Sequence, residues 1–139
     1  ARAILAGEPI QVFNHGHLQR DFTFIDDIVE GVVRAADQPA TPDPLFDAAA
    51  PDPASSSAPY RVFNIGNNRS VKLMDFIEAL EGALGNTAEK IFLPMQPGDV
   101  LATAASTDAL DAWVGFKPAT PLADGVARFV QWYRTFYRT

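Results

Sequence analysis

Three short stretches of this chain place polar side chains where they could recognise a ligand. In Gln19-Arg20-Asp21-Phe22-Thr23-Phe24-Ile25-Asp26-Asp27, Arg20 stands just before an apolar run. Its permanently charged fork can meet a phosphate or a carboxylate, with Asp21 as an orienting partner. The plainer alternative is an Arg–Asp surface pair of little energetic weight. In Pro94-Met95-Gln96-Pro97-Gly98-Asp99-Val100, two prolines and a glycine make a rigid loop that can present one carboxylate in fixed geometry. Asp99 could accept two hydrogen bonds from a diol, and Gln96 could read an amide-like edge; equally, Asp99 could bond its own backbone in a turn. In Phe63-Asn64-Ile65-Gly66-Asn67-Asn68, Asn64 stands at the end of a short buried strand. There it either closes the turn or aims a donor and an acceptor at a ligand beyond the strand end.

Other chemistry is excluded by residue type or spacing. The two histidines, His15 and His17, flank Gly16 in a polar turn, and no further metal ligands stand at suitable spacing. With no cysteine there is no disulfide framework, thiolate nucleophile or zinc–cysteine site. No G-x-S-x-G elbow occurs, and the serine triplet lies in a proline-rich stretch. No two glycines are separated by one residue, so the glycine-rich dinucleotide fingerprint is absent, and no phosphate loop is present. Tyr60 is followed four positions on by Asn64 and Tyr133 by Tyr137, so there is no Tyr-x-x-x-Lys proton-transfer pair. No catalytic, cofactor-binding or metal residue is assigned.

The composition narrows the class without selecting it. The 139 residues suit one domain or a large part of one, with 47% hydrophobic and 20% charged residues. A chain of this size can bury roughly two-thirds of its unfolded surface. Eleven Lys and Arg against 17 Asp and Glu give a net charge of -6, the wrong sign for a nucleic-acid binder. No apolar run is long enough for a membrane helix, and no basic segment leads into an apolar one at the start. The profile fits a cytosolic protein that meets neither nucleic acid nor membrane.

The elements that must position the three stretches follow from periodicity. Ala1 to Gly7 has the pattern of helical turns stopped by glycine. It begins without a cap, which predicts that the chain is a piece of a longer protein. Ile10, Val12 and Phe13, a polar turn, and Phe22 to Ile25 give a strand–turn–strand signal. Asp26 and Asp27 occupy the N-cap region of a helix with its apolar face on Ile28, Val29, Val32, Val33 and Ala36. Residues 39–59 hold six of the eleven prolines with Ala and Ser triplets, and are expected to form a flexible loop. Arg61 to Gly66 is a short buried strand. Ser70 caps a helix carrying Leu73, Phe76, Ile77, Leu80 and Leu84, stopped by Gly85. Ile91 to Leu93 is a strand, and Ser106 or Thr107 caps a short helix. Thr120-Pro121 opens a last helix with Leu122, Val126, Phe129, Val130, Tyr133 and Tyr137 on one face. Alternating strands and helices predict an α/β or α+β fold.

Taken in order, R-D-F-T-F-I-D-D, F-N-I-G-N-N, P-M-Q-P-G-D-V and V-G-F-K-P-A-T-P-L-A-D-G resemble the carboxyl-terminal part of extended short-chain dehydrogenase/reductases acting on nucleotide sugars. The set is similar above all to bacterial UDP-glucuronate 4-epimerases of surface-polysaccharide synthesis, and covers the chain from Ile4 to Tyr137 apart from residues 39–59. The resemblance implies an α/β fragment with a small mixed substrate-binding domain over residues 1–139, lacking most of the Rossmann sheet. The missing amino-terminal part would bind NAD and supply the Tyr/Lys pair, and the full-length enzyme would be a cytoplasmic homodimer. By the same resemblance Arg20 neutralises the UDP-sugar diphosphate, Asp99 holds the ribose hydroxyls, Asn64 contacts the diphosphate–ribose region and Val12 lies against the uracil ring. Gln96 stands where many UDP-galactose epimerases have Arg.

Two other readings stay open. Another nucleotide-sugar enzyme of this type, a dehydratase or a decarboxylase, would carry related motifs. A non-catalytic interaction domain would work through the acidic surface and the Pro/Ala/Ser loop, and would show no affinity for UDP.

Overall fold

A computed structural model describes residues 1–138. In chain order it has α1 (Arg2–Ala6), β1 (Ile10–Val12), β2 (Gln19–Asp21), α2 (Ile25–Asp37), β3 (Ser70–Lys72), α3 (Leu73–Leu84), β4 (Lys90–Phe92), α4 (Asp108–Val114) and α5 (Leu122–Tyr137). The mixed α/β composition agrees with the sequence.

The core forms where α3 crosses α5. Leu80 and Leu84 of α3 meet Val126 and Val130 of α5, and Ile4 of α1 and Ala88 close the cluster. These positions recur at helical spacing, so each helix buries one stripe. The end of α3 is doubly fixed. Gly85 takes left-handed dihedrals (φ 71°, ψ 17°), and Arg134 of α5 donates to the Leu84 carbonyl at 2.7 Å. Glu81 accepts from the Ala88 amide at 2.7 Å and pairs with Lys90, tying α3 to the start of β4.

The strands pair at long range. β1 runs parallel to β4 (Ile10 opposite Lys90, Val12 opposite Phe92). β2 runs antiparallel to β3 (Arg20 opposite Val71, Asp21 opposite Ser70). The strand–turn–strand expectation is corrected in its pairing: β1 and β2 do not pair with each other. Between them, residues 13–16 form one 3-10 turn in which Asn14 and His15 have left-handed dihedrals (φ 48° and 50°). The chain is thereby redirected, and each strand finds a distant partner.

Several local expectations are also corrected. Phe22 to Phe24 is not strand; Phe22 stacks on Phe76 with ring centroids 4.3 Å apart, and Arg128 sits over the Phe24 ring at 4.4 Å. Apart from an isolated bridge between Arg61 and Ser55, residues 61–66 form no strand. Their apolar side chains pack on helices instead, Phe63 against Trp113 and Ile65 over Gly31. Ser70 opens β3 rather than capping α3, and Pro121 precedes α5 as its N-cap residue. Asp26 and Asp27 lie in the first turn of α2, where carboxylates suit the helix dipole. Asp27 accepts from the Thr120 amide at 3.0 Å, and Asp26 pairs with Arg128. The stripe expected to be buried on α2 is open: Val29, Val32 and Val33 are about half exposed, and Gly31 is the residue that packs inward.

Residues 39–59 contain no helix. Short turns organise them, with Asp47 and Asp52 accepting from amides two residues on, both at 2.8 Å. Asp43 accepts from Arg61 at 2.8 Å across the loop. The Arg61 guanidinium holds the Asp43 carboxyl down at about 2, helped by the Leu45 amide and the Ser55 hydroxyl.

Candidate functional site

Strand alternation sends Arg20 and Asp21 to opposite faces of β2, and the two side chains organise different surroundings. On one side lies the 94–100 loop. There the Asp99 amide donates to the Gln96 carbonyl at 3.2 Å, with Pro97 and Gly98 (φ 83°) between them. Proline followed by a positive-φ glycine is what a tight turn of this kind asks for. The turn delivers the Asp99 carboxylate to Arg20, whose Nη2 donates to Oδ1 at 3.0 Å. Arg20 Nη1 donates to the carbonyls of Val100 and Gln19, both at 2.8 Å. Both side chains keep about a quarter of their surface (25% and 26%). The pair is therefore held firmly yet open to solvent.

The other side is built on the Asp21 carboxylate. It accepts from three backbone amides: Asn67 at 3.0 Å, Asn68 at 3.1 Å and Ala105 at 3.2 Å. The Asp21 amide donates to Thr103 Oγ1 at 3.3 Å. Between the two faces, residues 101–103 run beside β2: the Gln19 amide donates to Leu101 and the Thr103 amide to Gln19, at 2.9 and 3.3 Å. One three-residue strand thus fixes both the loop that carries Asp99 and the turn that follows Asn64.

The structure brings Arg20 and Asp99 together and leaves Asn64 and Gln96 exposed. Val12 is 1% exposed, inside the β1–β4 layer. Asp21, expected to orient Arg20, is turned away from it into the amide cluster. Nothing local in the sequence signals that role, because Asp21 and Ala105 are 84 positions apart. Two cavities lie elsewhere: an apolar one of about 290 Å³ between Phe22, Phe76, Leu122 and Phe129, and a cleft of about 430 Å³ beside Asn67, Arg69 and Lys117. Neither takes in Arg20 or Asp99. Among the described residues, no group of three His, Asp or Glu side chains is placed to hold a metal ion.

Comparison with known proteins adds the context. Residues 1–66, which include Arg20 and Asn64, match the NAD dependent epimerase/dehydratase family. Over 137 residues the chain is 49% identical to Protein CapI of Staphylococcus aureus, covering 99% of this chain and 41% of that protein. That family match spans just under half of the chain. A probable UDP-glucuronate 4-epimerase of Rhizobium meliloti (strain 1021) is 46% identical over 137 residues, 98% of this chain and 40% of that protein. The crystal structure of UDP-glucuronic acid 4-epimerase from Bacillus cereus in complex with UDP-glucuronic acid and NAD superposes with a TM-score of 0.75 at 26% identity. That likeness covers 98% of this chain and 38% of the epimerase chain. The chain thus spans about 40% of the length of the relatives it matches.

An NAD-binding epimerase holds the dinucleotide on a glycine-rich strand-to-helix turn. No such turn occurs in this sequence, and no Tyr-x-x-x-Lys pair accompanies it. No redox step is assigned to these residues.

Proposed function

We propose that this chain is the UDP-sugar-binding portion of an NAD-dependent UDP-glucuronate 4-epimerase, which interconverts UDP-glucuronate and UDP-galacturonate in the cytoplasm for surface-polysaccharide synthesis. The observation that carries the reading is the meeting of Arg20 and Asp99, a permanent cation and a rigidly presented carboxylate on one open face. A diphosphate needs such a cation against a chain of net charge -6. Asp99, which touches Arg20 at 3.0 Å, is the acceptor proposed for the ribose diol once an anion takes the cation from it. Asn64 and Gln96 lie exposed, Asn64 for the diphosphate–ribose region and Gln96 for the base edge.

The partner of this chain is then an amino-terminal Rossmann part that supplies NAD and the proton-transfer pair, in an enzyme that works as a homodimer. The half-exposed apolar residues of α2 (Ile25, Val29, Val32, Val33) support that reading, since an apolar helix face of this extent is ordinarily covered.

Titration of the isotope-labelled chain with UDP, followed by NMR, tests the proposal. UDP should shift the resonances of Arg20, Asn64 and Asp99 with weak affinity, on the order of millimolar, equivalent to about 4 kcal/mol. The chain alone should bind no NAD and convert no UDP-glucuronate. Absence of any UDP-induced shift overturns the proposal and favours a non-catalytic interaction domain. Turnover by the chain alone contradicts the assignment of hydride and proton transfer to another part.

A further inference from the structure

We infer that Asp21 is the positioning residue of the Arg20–Asn64–Asp99 site, a role that rests on the UDP-binding reading above. Successive backbone amides in a turn form a concavity suited to an anion. Here Asn67 and Asn68, the latter at a left-handed φ of 53°, make that concavity with Ala105, and the chain's own carboxylate fills it. Each amide belongs to a segment that carries or borders a site residue. Asn67 and Asn68 follow Asn64 by one short turn. Ala105 ends the stretch that begins at Asp99 and runs beside β2. Asp21 itself is the neighbour of Arg20. One carboxylate therefore sets the spacing of three segments that local sequence does not hold together.

The surroundings leave no slack. A Cβ at Gly66 would come within 2.9 Å of Asp21 Oδ2 and 2.8 Å of the Ala105 side chain, closer than real side chains approach. The cluster is thus packed tightly at Gly66, where a side chain would press on both Asp21 and Ala105. Both of its oxygens accept, Oδ1 from one amide and Oδ2 from two. An asparagine keeps one acceptor but turns an NH₂ towards backbone donors, whichever way it is flipped. Asp21→Asn is therefore a nearly isosteric change that breaks the cluster chemically.

The test measures UDP affinity by NMR for Asp21→Asn, for Gly66→Ala and for each combined with Arg20→Ala, with thermal melts run alongside. Asp21→Asn and Gly66→Ala should each weaken UDP by about tenfold or more at a temperature where both remain folded. Neither should weaken it further once Arg20→Ala is present, because the site whose spacing they set is already lost. A purely structural Asp21 would lower the melting temperature and leave UDP affinity of the folded protein unchanged, which overturns the inference. So does additivity with Arg20→Ala, or a failure of both variants to fold at low temperature. If UDP does not bind the unsubstituted chain, the functional reading fails first and the inference falls with it. Binding to the unsubstituted chain with unchanged affinity in the two variants sinks the Asp21 role alone.

Discussion

Arg20 and Asp99, 79 positions apart in sequence, meet at 3.0 Å, so the cation proposed to take a diphosphate is already engaged by the carboxylate proposed to take the ribose. On the proposed function, ligand binding at this face is an exchange of partners: the anion is expected to displace Asp99 from the Arg20 fork, leaving the carboxylate to accept from a diol.

That exchange separates the two substitutions. Arg20→Ala should weaken UDP by the worth of a charge-assisted contact, about 1.5–3 kcal/mol. Asp99→Asn should cost UDP less, because it removes a ribose contact while freeing Arg20. Inorganic pyrophosphate, which has no ribose, should bind Asp99→Asn more tightly than the unsubstituted chain. Calorimetric titrations of both ligands against both variants check this, and equal losses for pyrophosphate would refute the exchange.

Stability should respond most to the α3–α5 contact. Leu84 is 1% exposed and lies in the cluster shared by α1, α3 and α5. Leu84→Ala should cost about 2–5 kcal/mol, the range for truncating a buried leucine with partial collapse of the space left. Urea unfolding followed by circular dichroism measures it. A loss no larger than that of Phe136→Ala, at an exposed position on α5, would count against this core.

Asp43 gives the acid limb of the stability profile a specific cause. Its carboxyl is held at about 2 against a usual 3.8, first by Arg61, then by the Leu45 amide and the Ser55 hydroxyl. A carboxyl depressed on folding stabilises above its unfolded value, and that contribution disappears as pH falls through the folded one. The decline should therefore run from about pH 4 to about pH 2, and be shallower in Asp43→Asn. Glu81, also depressed, chiefly by Lys90, titrates in the same direction in both proteins. The difference between the two curves isolates Asp43; identical slopes would show that the Arg61 contact does not persist in solution.

The same contact governs the loop it closes. Limited proteolysis should cut first within residues 44–58, where the turns are local and the surface exposed. Arg61→Gln should hasten that cleavage, and an unchanged rate would mean that the ion pair adds nothing to the loop's order.

Helix positions were largely legible, because the 3.6-residue period and the glycine stops at Gly7 and Gly85 are local features. α3 and α5 bury Leu80, Leu84, Val126 and Val130 as their spacing indicated, while Phe129 and Tyr137 of the α5 stripe stay exposed. Sheet pairing was not legible, since it depends on segments far apart. The aromatic and β-branched run from Phe22 to Ile25 has strand composition, yet its rings serve helix packing, and the strand falls one step earlier on polar residues. α2 shows the limit of periodicity in another way: the apolar stripe is real, but periodicity says nothing about whether a partner is there to cover it. At the site, Arg20 and Asp99 were visible through residue type and loop chemistry. Asp21 was not, because a carboxylate among distant amides leaves no trace in the residues beside it.

The pairing of β1 with β4 bears on how the chain reaches its fold. Ile10 must wait for Lys90, and Gln19 for Lys72, before either strand has anything to bond with. Closing such long loops costs entropy before any contact rewards it, which slows folding relative to chains of the same size with local contacts. The helices carry no such delay. On a ribosome, β1 and β2 would emerge as unpaired edges, β2 until β3 follows α2 and β1 until β4 follows α3. During that interval the tract from Ile10 to Asp21 presents strand donors and acceptors with no partner in the chain made so far.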